Sequence, residues 1–122
     1  MISLDELEKW FLDTLMRSSS SVISRDDETI GYNIFEEFDV GVVSYLHDDS
    51  LKRLLDNNRI NLQMYNLCRR IRSLALALLQ KQREVEFVKK DPGWAEVFSL
   101  SDEVLGLKNT YDKSRKHSTG GS

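Results

Sequence analysis

Residues 60–79 read INLQMYNLCRRIRSLALALL and carry the strongest structural signal in the chain. The apolar residues recur in steps of four, three, four, three and four, at Ile60, Met64, Leu67, Ile71, Leu74 and Leu78. This spacing places one narrow apolar seam along an α-helix. Val85 and Val88 extend the pattern, so we predict a long central helix over residues 59–89, roughly 45 Å in length.

Shorter amphipathic patterns lie on both sides of this central helix. Ser3 and Glu6 form a Ser-x-x-Glu capping box before apolar residues at helical spacing, which predicts a helix over residues 3–17. Ser50 is placed to cap a short helix that carries three leucines. The triplet Asp91-Pro92-Gly93 ends one helix and begins another, which we expect to span residues 94–112.

The segment that follows the first predicted helix fits two different structures. Asn33-x-x-Glu36 reads as a second capping box, and the apolar steps after it predict a helix over residues 33–47. The alternating apolar residues from Ile30 onward, together with nearby valines, are instead typical of a short hairpin over residues 30–46. Helical spacing fits more of the residues, so the helix is our primary prediction and the hairpin is the alternative.

Length and composition favour one helical domain. The chain has 122 residues with only one proline and six glycines, so helix breakers are few. We predict an all-α, single-domain bundle of four to six helices around one long central helix. The helical domain is expected to span residues 1–112 and a disordered tail residues 113–122, whose Gly-Gly-Ser end resembles a vector-derived remnant.

The sequence predicts a cytoplasmic protein that does not enter a membrane. Its first residues are acidic where a signal peptide would be basic, and its single cysteine fits a reducing compartment. The longest purely apolar run covers residues 74–79, far short of the roughly 20 residues that cross a bilayer.

The chain lacks the residue groupings on which catalysis and cofactor binding usually depend. Its histidines are His47 and His117, and Cys68 falls in the apolar part of the predicted central helix. A Cys68–His47 pair is conceivable, but a buried thiol behaves as a small hydrophobic side chain. No Cys/His spacing suits zinc, and no glycine-rich loop suits a nucleotide phosphate. We therefore predict no enzyme activity, no cofactor and no metal.

Charge is strongly segregated along the chain, although the net charge is only −3. Residues 1–50 hold twelve acidic and three basic side chains, whereas residues 51–90 hold three acidic and ten basic ones. In one interpretation the acidic helices pack beside the basic helix, and the opposite charges offset each other. In the other, the acidic segment is a docking surface for a basic protein.

The acidic segment interleaves carboxylates with aromatic side chains. Carboxylates steer a basic partner, and aromatic residues supply anchors at the centre of an interface. Phe35 and Phe38 fall on the apolar stripe and are predicted core residues, whereas tyrosines tolerate a wet rim. The acidic triplet at residues 26–28 is expected on an exposed loop. The predicted partner-binding residues are Asp26, Asp27, Glu28, Tyr32, Glu36, Glu37, Asp39, Tyr45, Asp48 and Asp49.

Two other functions stay open at this point. An unsatisfied apolar stripe on the long helix would allow self-association into a homo-oligomer, as in a structural or adaptor protein. Arg69, Arg70 and Arg72 could instead follow a phosphate backbone. The acidic overall composition makes nucleic-acid binding the third choice.

The stretch IFEEFD at residues 34–39, within a short, acidic, helical chain, resembles the immunity proteins of bacterial toxin–immunity systems, above all those of contact-dependent growth inhibition. The resemblance implies a cytosolic protein that binds the C-terminal toxin domain of a delivered effector and blocks its active site or substrate entry. Many such toxins are nucleases with basic surfaces, which an acidic inhibitor suits. The binding positions given above come from the charge pattern and not from a family motif.

Overall fold

Helices make up the regular secondary structure of the described part of the chain, which covers residues 2–120, with side chains to residue 115. In this computed structural model the elements are α1 (Leu4–Arg17), a 3₁₀ turn (Ser20–Ser24), α2 (Asp27–Gly31), a π-helical segment (Tyr32–Phe38), α3 (Asp39–Ser44), α4 (Asp48–Asp56), α5 (Leu62–Leu79), α6 (Val85–Lys90) and α7 (Pro92–Gly120). One hydrophobic core joins them. The predicted all-α, single-domain class is confirmed.

Helices α5 and α7 pack along each other at the centre of the bundle, and α1 also packs against α7. The buried residues of α5 are Met64, Cys68, Ile71, Ala75, Leu78 and Leu79. Leu67 and Leu74, which belong to the predicted seam, are only partly buried. The buried line turns instead toward Cys68 and Ala75, because small side chains at a helix contact let the neighbouring helix approach closely.

The predicted extent of the central helix, residues 59–89, is wrong. Helix α5 ends at Leu79, and the exposed polar residues 80–84 separate it from α6. Because this stretch buries no apolar side chain, it lacks the tertiary packing that stabilises most protein helices. Helix α6 then returns Val88 to the core. Among the described elements the longest helix is α7, whereas the sequence predicted that the central helix, which contains α5, would be the longest.

Helix α7 begins where the sequence predicts a restart. The Oδ2 atom of Asp91 accepts the Gly93 N–H at 2.8 Å and the Trp94 N–H at 3.3 Å, and Pro92 is the first helical residue. The helix starts two residues before the predicted range 94–112 and continues beyond it. Side chains from residue 116 onward, and residues 121–122 entirely, lie outside the described residues. The predicted boundary between residues 1–112 and a tail over 113–122 therefore stays a prediction.

Residues 27–44 are continuously helical, which confirms the helix prediction and shows that the hairpin over residues 30–46 is wrong. The helix begins six residues earlier than predicted because Asp26 caps it, its Oδ1 accepting the Thr29 N–H at 2.8 Å. The acidic triplet 26–28 thus forms a cap and a first turn, not a loop. Asn33 is no cap, since its Oδ1 accepts a hydrogen bond from Arg17 of α1 at 2.7 Å.

Helix α4 starts earlier than its predicted cap. His47 is the N-cap residue, and its Nδ1 accepts the Asp49 N–H at 3.1 Å. Ser50 lies inside the helix and donates its hydroxyl hydrogen to the Ser44 carbonyl at 2.8 Å. Helix α4 therefore begins at Asp48. The carboxylates of Asp48 and Asp49 lie at the positive end of its dipole.

Five fully buried side chains recur at a strict spacing of four along this part of the fold: Ile30, Ile34, Phe38, Val42 and Leu46. In an α-helix with 3.6 residues per turn, each step of four rotates the side chain by about 40°, or about 160° over the whole line. The π-helical segment Tyr32–Phe38 has wider turns, closed by i→i+5 hydrogen bonds, and counteracts this rotation. The five residues therefore remain on the core side.

Candidate protein-binding surface

A second line of residues runs opposite the buried line. It consists of five exposed residues with the same spacing of four, Glu28, Tyr32, Glu36, Val40 and Ser44, and we call it the outer ridge. Each member lies two residues away from a buried one, so where a turn takes about four residues it points away from the core. The ridge presents carboxylate, phenol, carboxylate and isopropyl groups in order along roughly 20 Å of helix.

The outer ridge concentrates exposed apolar surface. Tyr32 is 53 % exposed, Val40 is 63 % exposed, and Val43 beside the ridge is 53 % exposed. These are three of the seven large hydrophobic side chains exposed in the described part of the chain. Exposed apolar groups gathered in one place mark protein-interaction sites more often than scattered ones do. Sequence reasoning missed both valines, because it chose the binding residues by their carboxylate or aromatic side chains.

The two ridge carboxylates lack internal partners. The side chains of Glu28 and Glu36 form no ion pair and no hydrogen bond with another described residue. Glu37, on the flank of the ridge, accepts the Tyr32 hydroxyl hydrogen at 2.5 Å. The two residues are five apart, which is the spacing of a π-helical turn. The hydrogen bond to the Glu37 carboxylate raises the pKa of Tyr32, so the phenol stays protonated and its ring is held in place.

Three of the predicted docking acids are paired inside the molecule. The pairs are Asp27 with Lys89 at 3.1 Å, Asp39 with Arg83 at 2.9 Å and Asp48 with Arg69 at 3.4 Å. All three basic partners belong to the basic segment 51–90, so part of the charge segregation is offset within the fold. Asp26 is occupied as a helix cap, and hydrogen bonds from Thr29 lower its pKa. These four acids do not belong to the free acidic surface.

The remaining predicted residues, Tyr45 and Asp49, lie at one end of the ridge. Together with Ser44 they line a shallow pocket of about 280 Å³, whose other lining residues are Ile2, Leu7, Ser50 and Arg53. Tyr45 stacks on Trp10 of α1, with ring centroids 6.3 Å apart and planes 19° apart. Trp10 is 40 % exposed and was missed by the charge pattern because it lies 35 residues before its partner. The pocket extends the ridge through Ser44.

The conceivable Cys68–His47 pair has no support from its surroundings. Cys68 is fully buried in the core, and burial raises the pKa of its thiol well above the usual value. A thiol in that state is a poor nucleophile, because the thiolate is the reactive form. His47 is exposed, and its Nδ1 is engaged in capping α4.

Neither a metal cluster nor a membrane span was found in the part of the chain that the structure describes. No three His, Cys, Asp or Glu side chains gather there in an arrangement that could hold a metal ion. None of the helices described is both long and apolar enough to cross a bilayer.

The comparisons with known proteins add no relative. No family model, no curated protein and no solved structure matches the chain. The functional conclusion therefore depends on the geometry of the outer ridge and its neighbours.

Proposed function

We propose that this chain binds and neutralises a basic protein through the outer ridge, as a toxin-neutralising immunity protein does. The observation that carries the proposal is the ridge itself, on which the unpaired Glu28 and Glu36 alternate with the exposed Tyr32 and Val40. The proposal gives the chain a binding role without catalysis, and it places the interaction in the cytoplasm.

The chemistry of the ridge favours a basic occupant. Carboxylates without internal partners attract a basic surface at a distance. The hydration free energy that they lose on binding is offset where arginine or lysine side chains replace the bound water. Tyr32 can act as the anchor, because a phenol buries a large ring and keeps a polar end. Its hydrogen bond to Glu37 fixes the ring beforehand, which lowers the entropy lost on association.

The main argument for self-association was an unsatisfied apolar stripe on the long helix, and this argument no longer holds. Most of the apolar seam of α5 is buried in the core. Among the large hydrophobic residues of α5, which lies wholly within the described chain, only Leu62 is exposed. The outer ridge is also poorly suited to pairing with itself, because two copies would bring glutamates together. We keep the oligomeric state as a control measurement.

The test compares two charge reversals of equal size. The ridge variant Glu28→Lys/Glu36→Lys changes the net charge by +4, as does the control variant Glu84→Lys/Glu103→Lys. All four glutamates are exposed and form no ion pair with another described residue. Asp39 is left unchanged, because its reversal would also break the pair with Arg83.

The partner is first captured on the immobilised chain from native cytosolic and secreted fractions and identified by mass spectrometry. Purified partner is then titrated against the wild type and both variants at low and moderate salt. We expect a basic partner whose Kd rises at least about a hundredfold in the ridge variant and changes less than about threefold in the control. The partner's own activity should fall to zero at one equivalent of the wild type. Equal losses in both variants, or an unaltered Kd in the ridge variant, would refute the proposal.

A further inference from the structure

A pocket on α5 gathers three arginine side chains. It measures about 290 Å³ and is lined by Arg69, Arg70, Arg72 and Ser73, with Asp48 of α4 on its rim. The three guanidinium groups and the hydroxyl come from a single turn of α5, while Asp48 is the first residue of α4. The positive end of the α4 dipole therefore also lies at this rim.

The hydrogen bonds of the three arginines are unequally satisfied. Arg69 Nε lies 3.4 Å from the Asp48 Oδ1 atom, and Arg70 Nε donates to Glu96 Oε2 at 2.8 Å. Arg72 forms no hydrogen bond or ion pair with any described residue, and its Nε is closed off from solvent without an acceptor. Charged side chains with a buried donor almost always have a partner, so the unpaired guanidinium of Arg72 is the exception in this group.

The arrangement of charges points to an anion. Arg69 and Arg72 are three residues apart on one helix face, a spacing at which like charges repel. Even after Asp48 and Glu96 are counted, the group keeps one positive charge in excess. An anion between Arg69 and Arg72 would reduce the repulsion and give the guanidinium of Arg72 a partner of opposite charge.

We propose that this pocket binds the phosphoryl group of a small ligand. A carboxylate is planar and can be satisfied by the fork of one guanidinium, whereas a phosphoryl group offers three oxygens in different directions. Three guanidiniums and the Ser73 hydroxyl line this one pocket, so it offers more donors than a carboxylate needs, which suits the three oxygens of a phosphoryl group. The volume is at the lower limit of ligand pockets and suits a phosphoryl group with a small body attached.

This site is distinct from the outer ridge. The ridge belongs to the stretch from α2 to α3, whereas the phosphoryl pocket is built by α5 and the start of α4. Asp48, which the sequence assigned to the docking surface, belongs to the pocket instead. Loss of binding at one site therefore does not imply loss at the other.

The test titrates inorganic phosphate into the ¹⁵N-labelled protein and follows the amide signals, with chloride at equal ionic strength as the reference anion. We expect saturable shifts at Arg69, Arg72 and Ser73 with a Kd of about 1 mM or tighter. Arg72→Gln should raise that Kd at least about tenfold, and Ser73→Ala, at an exposed position, should raise it severalfold. The matched control is Lys81→Gln, which removes one charge from an exposed lysine outside the pocket and should leave the Kd unchanged.

Two results would overturn the proposal. One is a set of linear shifts that chloride reproduces, and the other is an Arg72→Gln variant that folds and binds phosphate like the wild type. If Arg72→Gln does not fold, Ser73→Ala decides in the same way. Parallel titrations with adenosine monophosphate and a short single-stranded oligonucleotide identify the source of the phosphoryl group. Tighter binding of the mononucleotide indicates a small metabolite, and tighter binding of the oligonucleotide indicates a polynucleotide backbone.

Discussion

The close crossing of α1 and α3 provides the sharpest test of the packing. Gly41 lies against Thr14, and a Cβ atom at position 41 would lie 2.3 Å from the Thr14 Oγ1, 2.8 Å from its Cγ2 and 3.0 Å from its Cβ. Thr14 cannot easily move away, because it is 2 % exposed and its hydroxyl donates to the Trp10 carbonyl at 2.8 Å. Its β-branched side chain also has few alternative rotamers in a helix.

The size of the effect of Gly41→Ala follows from three contributions. Alanine gains about 1 kcal/mol over glycine in a helix interior. Overpacking of a closed core costs about 1–3 kcal/mol, and loss of the Thr14 hydrogen bond adds about 1 kcal/mol. We therefore expect a net destabilisation of about 1–3 kcal/mol. Gly106→Ala is the matched control, because no atom lies within 4 Å of its added Cβ and it should stabilise α7 by about 0.5–1 kcal/mol.

Urea unfolding followed by circular dichroism measures both variants and a rescue. Thr14→Ala removes the two closest atoms from the clash, so in the Gly41→Ala background it should recover at least about 1 kcal/mol relative to additive effects. If Gly41→Ala proves as stable as Gly106→Ala, or if Thr14→Ala gives no coupling, then α1 and α3 do not cross as described. The orientation of the outer ridge, which depends on that crossing, would then be wrong as well.

Three further predictions concern buried polar groups. Glu8→Gln should destabilise the fold by about 1 kcal/mol at neutral pH, because Lys108, 2 % exposed, would lose one of its two carboxylate partners, Glu8 at 2.9 Å, and keep Asp112 at 2.7 Å. Burial raises the pKa of Glu8, but hydrogen bonds from Arg59 and Lys108 lower it more, so the pKa lies below that of an ordinary glutamate. The stability that this carboxylate contributes is present above the pKa of the unfolded state and is lost as the pH falls through the lowered pKa of the folded state. Glu8→Gln should therefore flatten the acid side of a stability–pH curve, and an unchanged curve would contradict the pairing. Cys68 should react with a thiol reagent only as the protein unfolds in urea, since it is buried with a raised pKa; rapid reaction of the native protein would disprove its burial. Trp94→Phe should cost about 1 kcal/mol or less, because the buried indole N–H has no acceptor and its removal offsets lost packing; a loss of about 3 kcal/mol would point to a missed hydrogen bond.

Local signals in the sequence correctly predicted two helix starts that depend on a nearby side chain. Ser3 caps α1 through the Glu6 N–H at 3.1 Å, as its capping box predicts, and Asp91 caps α7. In both cases the donor and the acceptor lie within three residues. Asp26 caps α2 in the same way. The sequence also contains the competing motif Asn33-x-x-Glu36, and the burial of Ile30 is what favours the earlier helix start at Asp26.

The apolar periodicity was read without regard to the residues between the apolar positions and to the exact step length. As a result the extent of the central helix was wrong and the π-helical segment was not predicted. Val85 and Val88 continue the phase of the α5 seam, yet the five polar residues 80–84 interrupt the burial that would hold the helix together. The line from Ile30 to Leu46 has a constant step of four, which is too long for a regular α-helix. That step was visible in the sequence and could have indicated both the π-helical segment and the outer ridge.

The internal ion pairs could not be derived from the charge pattern alone. Asp39 and Arg83 are 44 residues apart and Asp27 and Lys89 are 62 apart, so only the tertiary fold brings them together. The sequence supplied the opposite charges and offered contact between the two segments as one of two interpretations. It could not tell which acids would be used in that contact and which would remain exposed.

The division of the acidic residues into paired and unpaired ones decides how the segregation of charge along the sequence is interpreted. Exposed pairs such as Lys89 with Asp27 contribute little stability each, so stability alone gives little reason to collect twelve acids in the first 50 residues. More informative than these pairs are the unpaired groups that lie among other features of a binding site, namely Glu28 and Glu36 beside the exposed Tyr32 and Val40, and Arg72 in the phosphoryl pocket. A π-helical segment is a rare arrangement, and here it keeps the core line and the ridge straight at once. Because the core alone could be served by ordinary α-helical spacing, the straight exposed ridge is the feature that the unusual segment adds.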